Sequence, residues 1–358
     1  MRFDYHTRYA QGFALLRHTR DRVGYGLLLA VLLAAPLVLS NYLLGELAYI
    51  LILCIAAMGL MVLTGFTGQV SLGHAAFVAI GAYGHAWMLA QGVPFLLALP
   101  LAGVLAGLAG LVVGIPAIRV HGLYLAMVTL AFSIVVEQVI GLWRGVTGGF
   151  MGLPVETARV WGASLGSPTP FYYLCLAVAV LVLLALANLL RSGIGRAFAG
   201  VRDSEAAAYA LGIGVARVKV GAFALSAGVT GLAGALMAHH LGYLTPDAFT
   251  LLLSLDLVLM VVIGGLGSLR GAILGAILIS LLPKLVTFLK GFLPEAASRQ
   301  FGLEIFVAGL VLALFVLFEP RGLNGRWLKL RALIETFPLY RRDTFRRQKS
   351  YMKTERNR

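Results

Sequence analysis

The sequence predicts an all-α, polytopic transmembrane helical bundle of about 8–10 spans. Three observations lead there. The 358 residues are 60% hydrophobic and only 12% charged, too little charge to cover the surface of a soluble domain of this length. Long apolar runs alternate with short polar joints, and runs of roughly 18 or more apolar residues read as membrane-crossing helices. The basic residues crowd into tails and joints instead of spreading along the chain.

The predicted spans are Val23–Leu43, Leu47–Thr64, Val70–Ala90, Phe95–Ile115, Leu123–Trp143, Phe171–Leu190, Val220–His239, Leu251–Gly264, Ala272–Leu289 and Leu303–Phe318. The first is longer than a signal-peptide core and follows a basic tail, so it reads as a retained span. Leu251–Gly264 is short for a crossing and is broken at Gly264, Gly265 and Gly267. Val70–Ala90 is glycine-rich at its start. Either fits a half-helix or re-entrant segment, which is tolerated where backbone lines a polar cavity.

Charge sets the expected orientation. With the N-terminus in the cytoplasm, 24 of the 29 Lys and Arg residues fall on inside segments. That asymmetry follows the positive-inside rule and places both termini inside, with an even number of spans. The net charge of +14 is therefore a membrane signature, and no nucleic-acid partner is expected. The chain divides into a cytoplasmic tail over 1–22, a membrane domain over 23–318 with a cytoplasmic loop at 191–219, and a basic cytoplasmic tail over 319–358 beside anionic lipid. Five spans per half start the halves on opposite sides of the membrane, the arrangement of an inverted repeat. Gly65–Gly84 and Gly264–Ala276 are loosely alike.

Catalytic signatures are missing. Gln69-Val-Ser71-Leu-Gly73 lacks the first glycine of a nucleophile elbow. His239-His240 lacks the spacing that puts two metal ligands on one helical face, and no phosphate-binding GxxxxGK[ST] occurs. Cys54 and Cys175 sit in apolar runs and read as packing residues. The chain is expected to bind no cofactor or metal.

The loop Arg196–Ile213 carries the most information. Asp203 or Ser204 can cap a helix, Glu205 suits the positive end of its dipole, and Gly212 is placed to end it. Ala206 and Ala207 open a smooth, small-residue surface that admits close approach. Glu205-Ala206-Ala207 followed by Gly212 resembles the EAA loop of bacterial ABC-importer permeases, with one residue more before the glycine and no Leu-Pro after it. Further stretches narrow the resemblance to the branched-chain amino-acid permeases, and to the longer, M-type subunit. These are Thr64–Tyr83, Thr147–Leu153, Val262–Ser268 and Phe318–Leu323.

The resemblance implies a permease subunit of an importer working by alternating access in a bacterial inner membrane. It implies a second homologous permease, two cytoplasmic ATPase subunits that hold ATP and Mg, and a periplasmic solute-binding protein. Arg202, Asp203, Glu205, Ala206, Ala207 and Gly212 are then the ATPase-coupling residues. Candidates for a translocation path are Gln69, Ser71, His74, Thr147, Gly148 and Gly149, with the intramembrane carboxylates Glu137 and Asp256. For Gln69, Ser71 and His74, hydrogen bonding between helices is the competing role; for Glu137 it is pairing with an arginine, and for Asp256 a place near the interface. An ion- or proton-coupled secondary transporter using Glu137 or Asp256 is the rival reading. It leaves the EAA-like loop unexplained.

Overall fold

A computed structural model describes residues 19–157, 159–160, 163–164, 166–290, 309–310, 313, 317 and 322–336. Its helices are α1 (Thr19–Val38), α2 (Asn41–Leu60), α3 (His74–Ala90), α4 (Phe95–Gly114), α5 (Leu123–Leu142) and α6 (Pro168–Arg191). They continue with α7 (Gly193–Asp203), α8 (Glu205–Ala210), α9 (Val215–Leu241), α10 (Leu251–Gly264), α11 (Leu269–Lys290) and α12 (Gly322–Thr336). Among the described residues, six helical stretches are long and apolar enough to cross a membrane. Each predicted span but the last overlaps one of these helices. Leu303–Phe318 lies almost wholly outside the described residues, as do the two tails beyond 19 and 336.

Helix α9 is the centre of the bundle and packs along α4, α3 and α2. Small residues make this possible. A Cβ on Gly110 would sit 2.7 Å from the Phe223 carbonyl oxygen, and one on Gly103 would sit 3.1 Å from that of Gly228. A Cβ on Gly81 would collide with the Gly231 backbone. Van der Waals contact between closely approaching backbones takes the place of a hydrophobic driving force in lipid. By contrast, α4 turns Leu97, Val104, Leu108 and Val112 outward, the apolar exterior a membrane protein presents.

Two chain breaks shape one end of the bundle. Helix α2 loosens into a π-helical turn over Met61–Phe66, and irregular chain follows until α3 starts at His74. Helix α10 ends at Gly264, with Gly265 at φ 106° and Gly267 at φ 79°, before α11 begins. The two breaks touch: a Cβ on Gly65 would lie 2.7 Å from the Gly267 nitrogen. The glycine-rich stretches that look alike in sequence are in contact at this point.

Two expectations are corrected. Helix α9 starts at Val215 rather than Val220, so Arg217 and Lys219 belong to the helix and not to the loop. The C-terminal segment is not simply a solvated tail, because Gly322–Thr336 forms α12 against α10 and α11. Gly322 is buried there, and a Cβ on it would lie 2.6 Å from the Gly265 nitrogen.

At the other end of the bundle, the chain after α5 makes a tight turn. Leu153 and Pro154 then pair antiparallel with Leu244 and Tyr243, which follow α9. This two-residue ladder ties the two connections together.

Candidate functional site: the 191–219 segment and the buried polar break

The segment 191–219 folds as two helices meeting at Ser204. Ser192 caps α7 by accepting from the Ile194 N–H at 3.2 Å. Ser204 caps α8 by accepting from the Ala207 N–H at 3.2 Å, so the cap is Ser204 and not Asp203. Asp203 instead accepts from the Arg202 guanidinium at 3.1 Å. The end of α8 is closed as the sequence suggested. Gly212 stands at φ 80°, its N–H donates to the Tyr209 carbonyl at 2.9 Å, and the Ile213 N–H donates to that of Ala208 at 3.0 Å. This double closure needs a left-handed residue at position 212, which glycine adopts without strain.

Both helices are tied to the bundle. Arg202 donates to the Gly65 carbonyl at 3.1 Å and lies over the two glycine breaks, where a Cβ on Gly68 or Gly267 would meet its side chain. Glu205 meets Lys219 of α9 at 2.6 Å. Lys219 is only 2% exposed. His121, in the connection between α4 and α5, places Nε2 at 2.9 Å from the Lys219 ammonium and 3.0 Å from Glu205 Oε2. Burial pushes the Glu205 carboxyl up. Hydrogen bonds and charge from Lys219 and His121 outweigh it and hold the group below the usual carboxylate range. Ala206 is exposed on α8, as are Ala207 and Tyr209, and Leu211 just after it.

The second cluster surrounds the start of α3. Ser226 donates to the Gly59 carbonyl at 2.7 Å. Its single hydrogen is thereby used, so His74 Nε2–H donates to Ser226 Oγ at 2.8 Å. His74 Nδ1 then accepts from the Ser71 hydroxyl at 2.9 Å. This directed chain links α3, α9 and α2. The first N–H groups of a helix have no partners within it. Here the Ala75 N–H reaches Ser254 Oγ, and the Leu72 N–H, two residues before the helix, reaches Thr129 Oγ1, both at 2.9 Å. Side chains of α5 and α10 thus satisfy a helix start buried inside the bundle. Gln69 is buried and donates to Thr67 Oγ1 at 3.1 Å, while its Oε1 has no protein partner. Ser71 is engaged within its own segment, by His74 and the Gly73 N–H, and His74 reaches across to Ser226 of α9.

The other candidates stand apart. Thr147 is buried and shares its one hydroxyl hydrogen between the Ile140 and Trp143 carbonyls, at 2.6 and 2.7 Å. Gly148, at φ 74°, and Gly149, at φ 65°, fold the chain back over it. Glu137 is half-buried on α5 and Asp256 is exposed on α10, and the structure does not bring them together with the α3 cluster. Sequence reasoning missed one intramembrane pair. Glu46 lies inside α2 and meets Lys284 of α11. The signal was a lone acid beside a span and a lone lysine within one, which membrane burial requires to be paired.

A polytopic helical bundle with two broken helices and a braced helical loop is the architecture of a multi-pass membrane protein, and the class a permease subunit belongs to. The comparisons make this specific. The family model described as branched-chain amino acid transport system / permease component matches residues 42–317. The chain is 32% identical over 322 residues to the high-affinity branched-chain amino acid transport system permease protein LivM of Escherichia coli (strain K12), covering 83% of this chain and 73% of that one. It is 25% identical over 231 residues to the probable branched-chain amino acid transport permease protein LivM of Methanocaldococcus jannaschii, covering 62% and 67%. It is 27% identical over 226 residues to the autoinducer 2 import system permease protein LsrC of Salmonella typhimurium, covering 60% and 62%. No solved structure matches the chain significantly. The chain belongs to the branched-chain amino acid transport system permease family, and so is a multi-pass permease subunit of an ABC importer.

Proposed function

We propose that this chain forms half of the translocation pathway of an inner-membrane importer for branched-chain amino acids or a related small polar solute. A second homologous permease supplies the other half. Two cytoplasmic ATPase subunits hold ATP and Mg and do the hydrolysis, and a periplasmic binding protein delivers the solute. Both termini lie in the cytoplasm, as the charge asymmetry requires. The chain itself carries no catalytic step and no cofactor.

The observation that carries this reading is the Arg202–Gly212 segment. It presents a short helix, capped at both ends, whose exposed side chains are small at Ala206 and Ala207 and large at Tyr209 and Leu211. Its charged groups Arg202 and Glu205 are turned onto the bundle. A secondary transporter has no need of such a surface. Alternating access then moves the two breaks at Gly65–Gly73 and Gly264–Ser268 relative to each other, with Gln69, Glu137 and Asp256 as the polar groups of the path and Ser71 and His74 bracing the first break. Thr147, Gly148 and Gly149 shape its outer end.

The test is uptake of L-leucine into proteoliposomes holding the reconstituted complex and its binding protein. Uptake that needs internal-face ATP and survives collapse of the proton gradient supports the importer. Uptake that collapses with the gradient and ignores ATP transfers the reading to a proton-coupled transporter.

A further inference from the structure

We propose that Lys219 is a positioning residue for coupling, which sets the orientation of α8 on α9 through Glu205. The inference rests on the reading of the 191–219 segment as the coupling element. It begins from burial. Lys219 sits in the second turn of α9 and is 2% exposed. An ammonium removed from water needs a counter-charge and hydrogen-bond acceptors. Glu205 Oε1 supplies both at 2.6 Å, and His121 Nε2 stands at 2.9 Å.

The carboxylate is therefore engaged inside this chain. Oε1 faces Lys219 and Oε2 faces His121 at 3.0 Å, which leaves Glu205 turned away from any partner docked on α8. The imidazole does not serve both neighbours at once. Its Nε2 accepts from Lys219 in one tautomer and donates to Glu205 in the other. In either arrangement the Lys219–Glu205 contact persists, and His121 adds a third element, the connection between α4 and α5, to the same knot.

The consequence is mechanical. Glu205 is the first residue of α8, and Lys219 is fixed in the helix that packs along α4, α3 and α2. A displacement of α8 by a partner thus pulls on α9 through this contact. Arg202 provides the second anchor, on the Gly65 carbonyl at 3.1 Å, so that α7 and α8 grip the bundle at two points on different helices. The short covalent turn Leu211–Gly214 has glycine at both 212 and 214, and needs the ionic contact to hold α8 in one orientation.

The experiment separates burial of a charge from positioning. Glu205→Gln, Lys219→Met, the double variant and Lys219→Arg are made in the full complex. Two readouts are taken: the detergent unfolding temperature, and the ratio of ATPase rates with and without the binding protein plus a mixture of the common L-amino acids. Glu205→Gln leaves the ammonium unpaired and lowers both. The double variant removes both charges, recovers the unfolding temperature to near wild type, and still loses at least fivefold in stimulation. Lys219→Arg keeps the charge and retains at least half of the stimulation. Full stimulation in the double variant overturns the inference and reduces the pair to charge burial. A wild-type complex whose ATPase ignores the loaded binding protein overturns the coupling reading itself, and this inference with it.

Discussion

Lys219 and Glu205 meet at 2.6 Å across the turn that joins α8 to α9, with the lysine buried and the glutamate at the surface. The pair is asymmetric in what its loss does. Removing the carboxylate strands a buried cation. Removing the lysine leaves a carboxylate with access to water. Energies of exposed pairs are small, but breaking a buried pair from one side is costly because a charge is left uncompensated.

The pH dependence follows from the depressed pKa of Glu205. A carboxyl whose folded pKa is lowered contributes stability that is present above its unfolded pKa and lost as pH falls through the folded value. The stability difference between wild type and Glu205→Gln should therefore be constant above the ordinary glutamate range and shrink as pH falls below that range toward the lowered folded value. Thermal unfolding of the purified complex across that range measures it. A difference that already disappears between pH 7 and 6 would assign the effect to another group.

Orientation is tested by thiol labelling. Tyr209 is 77% exposed on α8 and Met151 is 87% exposed at the opposite end of the bundle. With the basic segments inside, Tyr209→Cys should react with a membrane-impermeant thiol reagent only after cells are opened. Met151→Cys should react in intact spheroplasts. Cys54 and Cys175 are buried and should give little background. The reverse pattern would invert the topology and remove α8 from the cytoplasm.

Much of this architecture was legible in the sequence, and the misses have a common cause. The spans from α2 to α11 could be read because apolar length is a local property, and Gly212 could be read as a helix stop because its left-handed backbone is local too. The start of α3 at His74, instead of Val70, goes with Thr129 holding the Leu72 N–H before the helix and Ser254 capping the Ala75 N–H, both from other helices. The start of α9 at Val215 placed Lys219 in a buried position that only Glu205 makes tolerable. Glu46 looked like a joint residue beside Gly45, and its place inside α2 depends on Lys284, far away in the chain. Each miss turns on a charge or donor satisfied by a non-local partner, which hydropathy windows do not register.

The His74 chain separates a structural role from a solute-binding one. Ser226→Ala removes both the donor to the Gly59 carbonyl and the acceptor for His74 Nε2. Leaving buried polar groups unsatisfied costs about 1–3 kcal/mol each. The expected outcome is a lower unfolding temperature with the apparent KM for L-leucine unchanged. A raised KM at unchanged stability would move His74 and Ser226 from the scaffold into the path.

Gly212 should matter through its backbone alone. Nothing lies within 4 Å of a Cβ built there, yet its φ is 80°. Gly212→Ala therefore introduces left-handed strain of roughly 1 kcal/mol without a steric clash, and Gly212→Pro is barred because proline fixes φ near −65°. Solute-stimulated ATPase activity should fall modestly for alanine and severely for proline, while membrane insertion, followed by yield in the membrane fraction, stays unchanged. Equal activity for the two variants would show that the end of α8 is not held in one conformation during coupling.

The closest test of the packing argument sets two helical glycines against each other. Gly81 of α3 is buried, and a Cβ on it would collide with the carbonyl oxygen of Gly231 on α9. Both atoms belong to backbones held by neighbouring contacts, so neither can yield as a flexible side chain would. Gly81→Ala should therefore separate α3 from α9 and cost about 1–3 kcal/mol, with Gly81→Leu costing more. Gly221 of α9 is the control, because nothing lies within 4 Å of the Cβ it lacks and its backbone is ordinary helix. Alanine there gains helix propensity, by up to about 1 kcal/mol as measured in water-exposed helices. The unfolding temperature in detergent should fall for Gly81→Ala and hold or rise for Gly221→Ala. Equal effects at the two positions would mean that α3 and α9 are not in close contact, and the small-residue seam at the centre of the bundle would have to be abandoned.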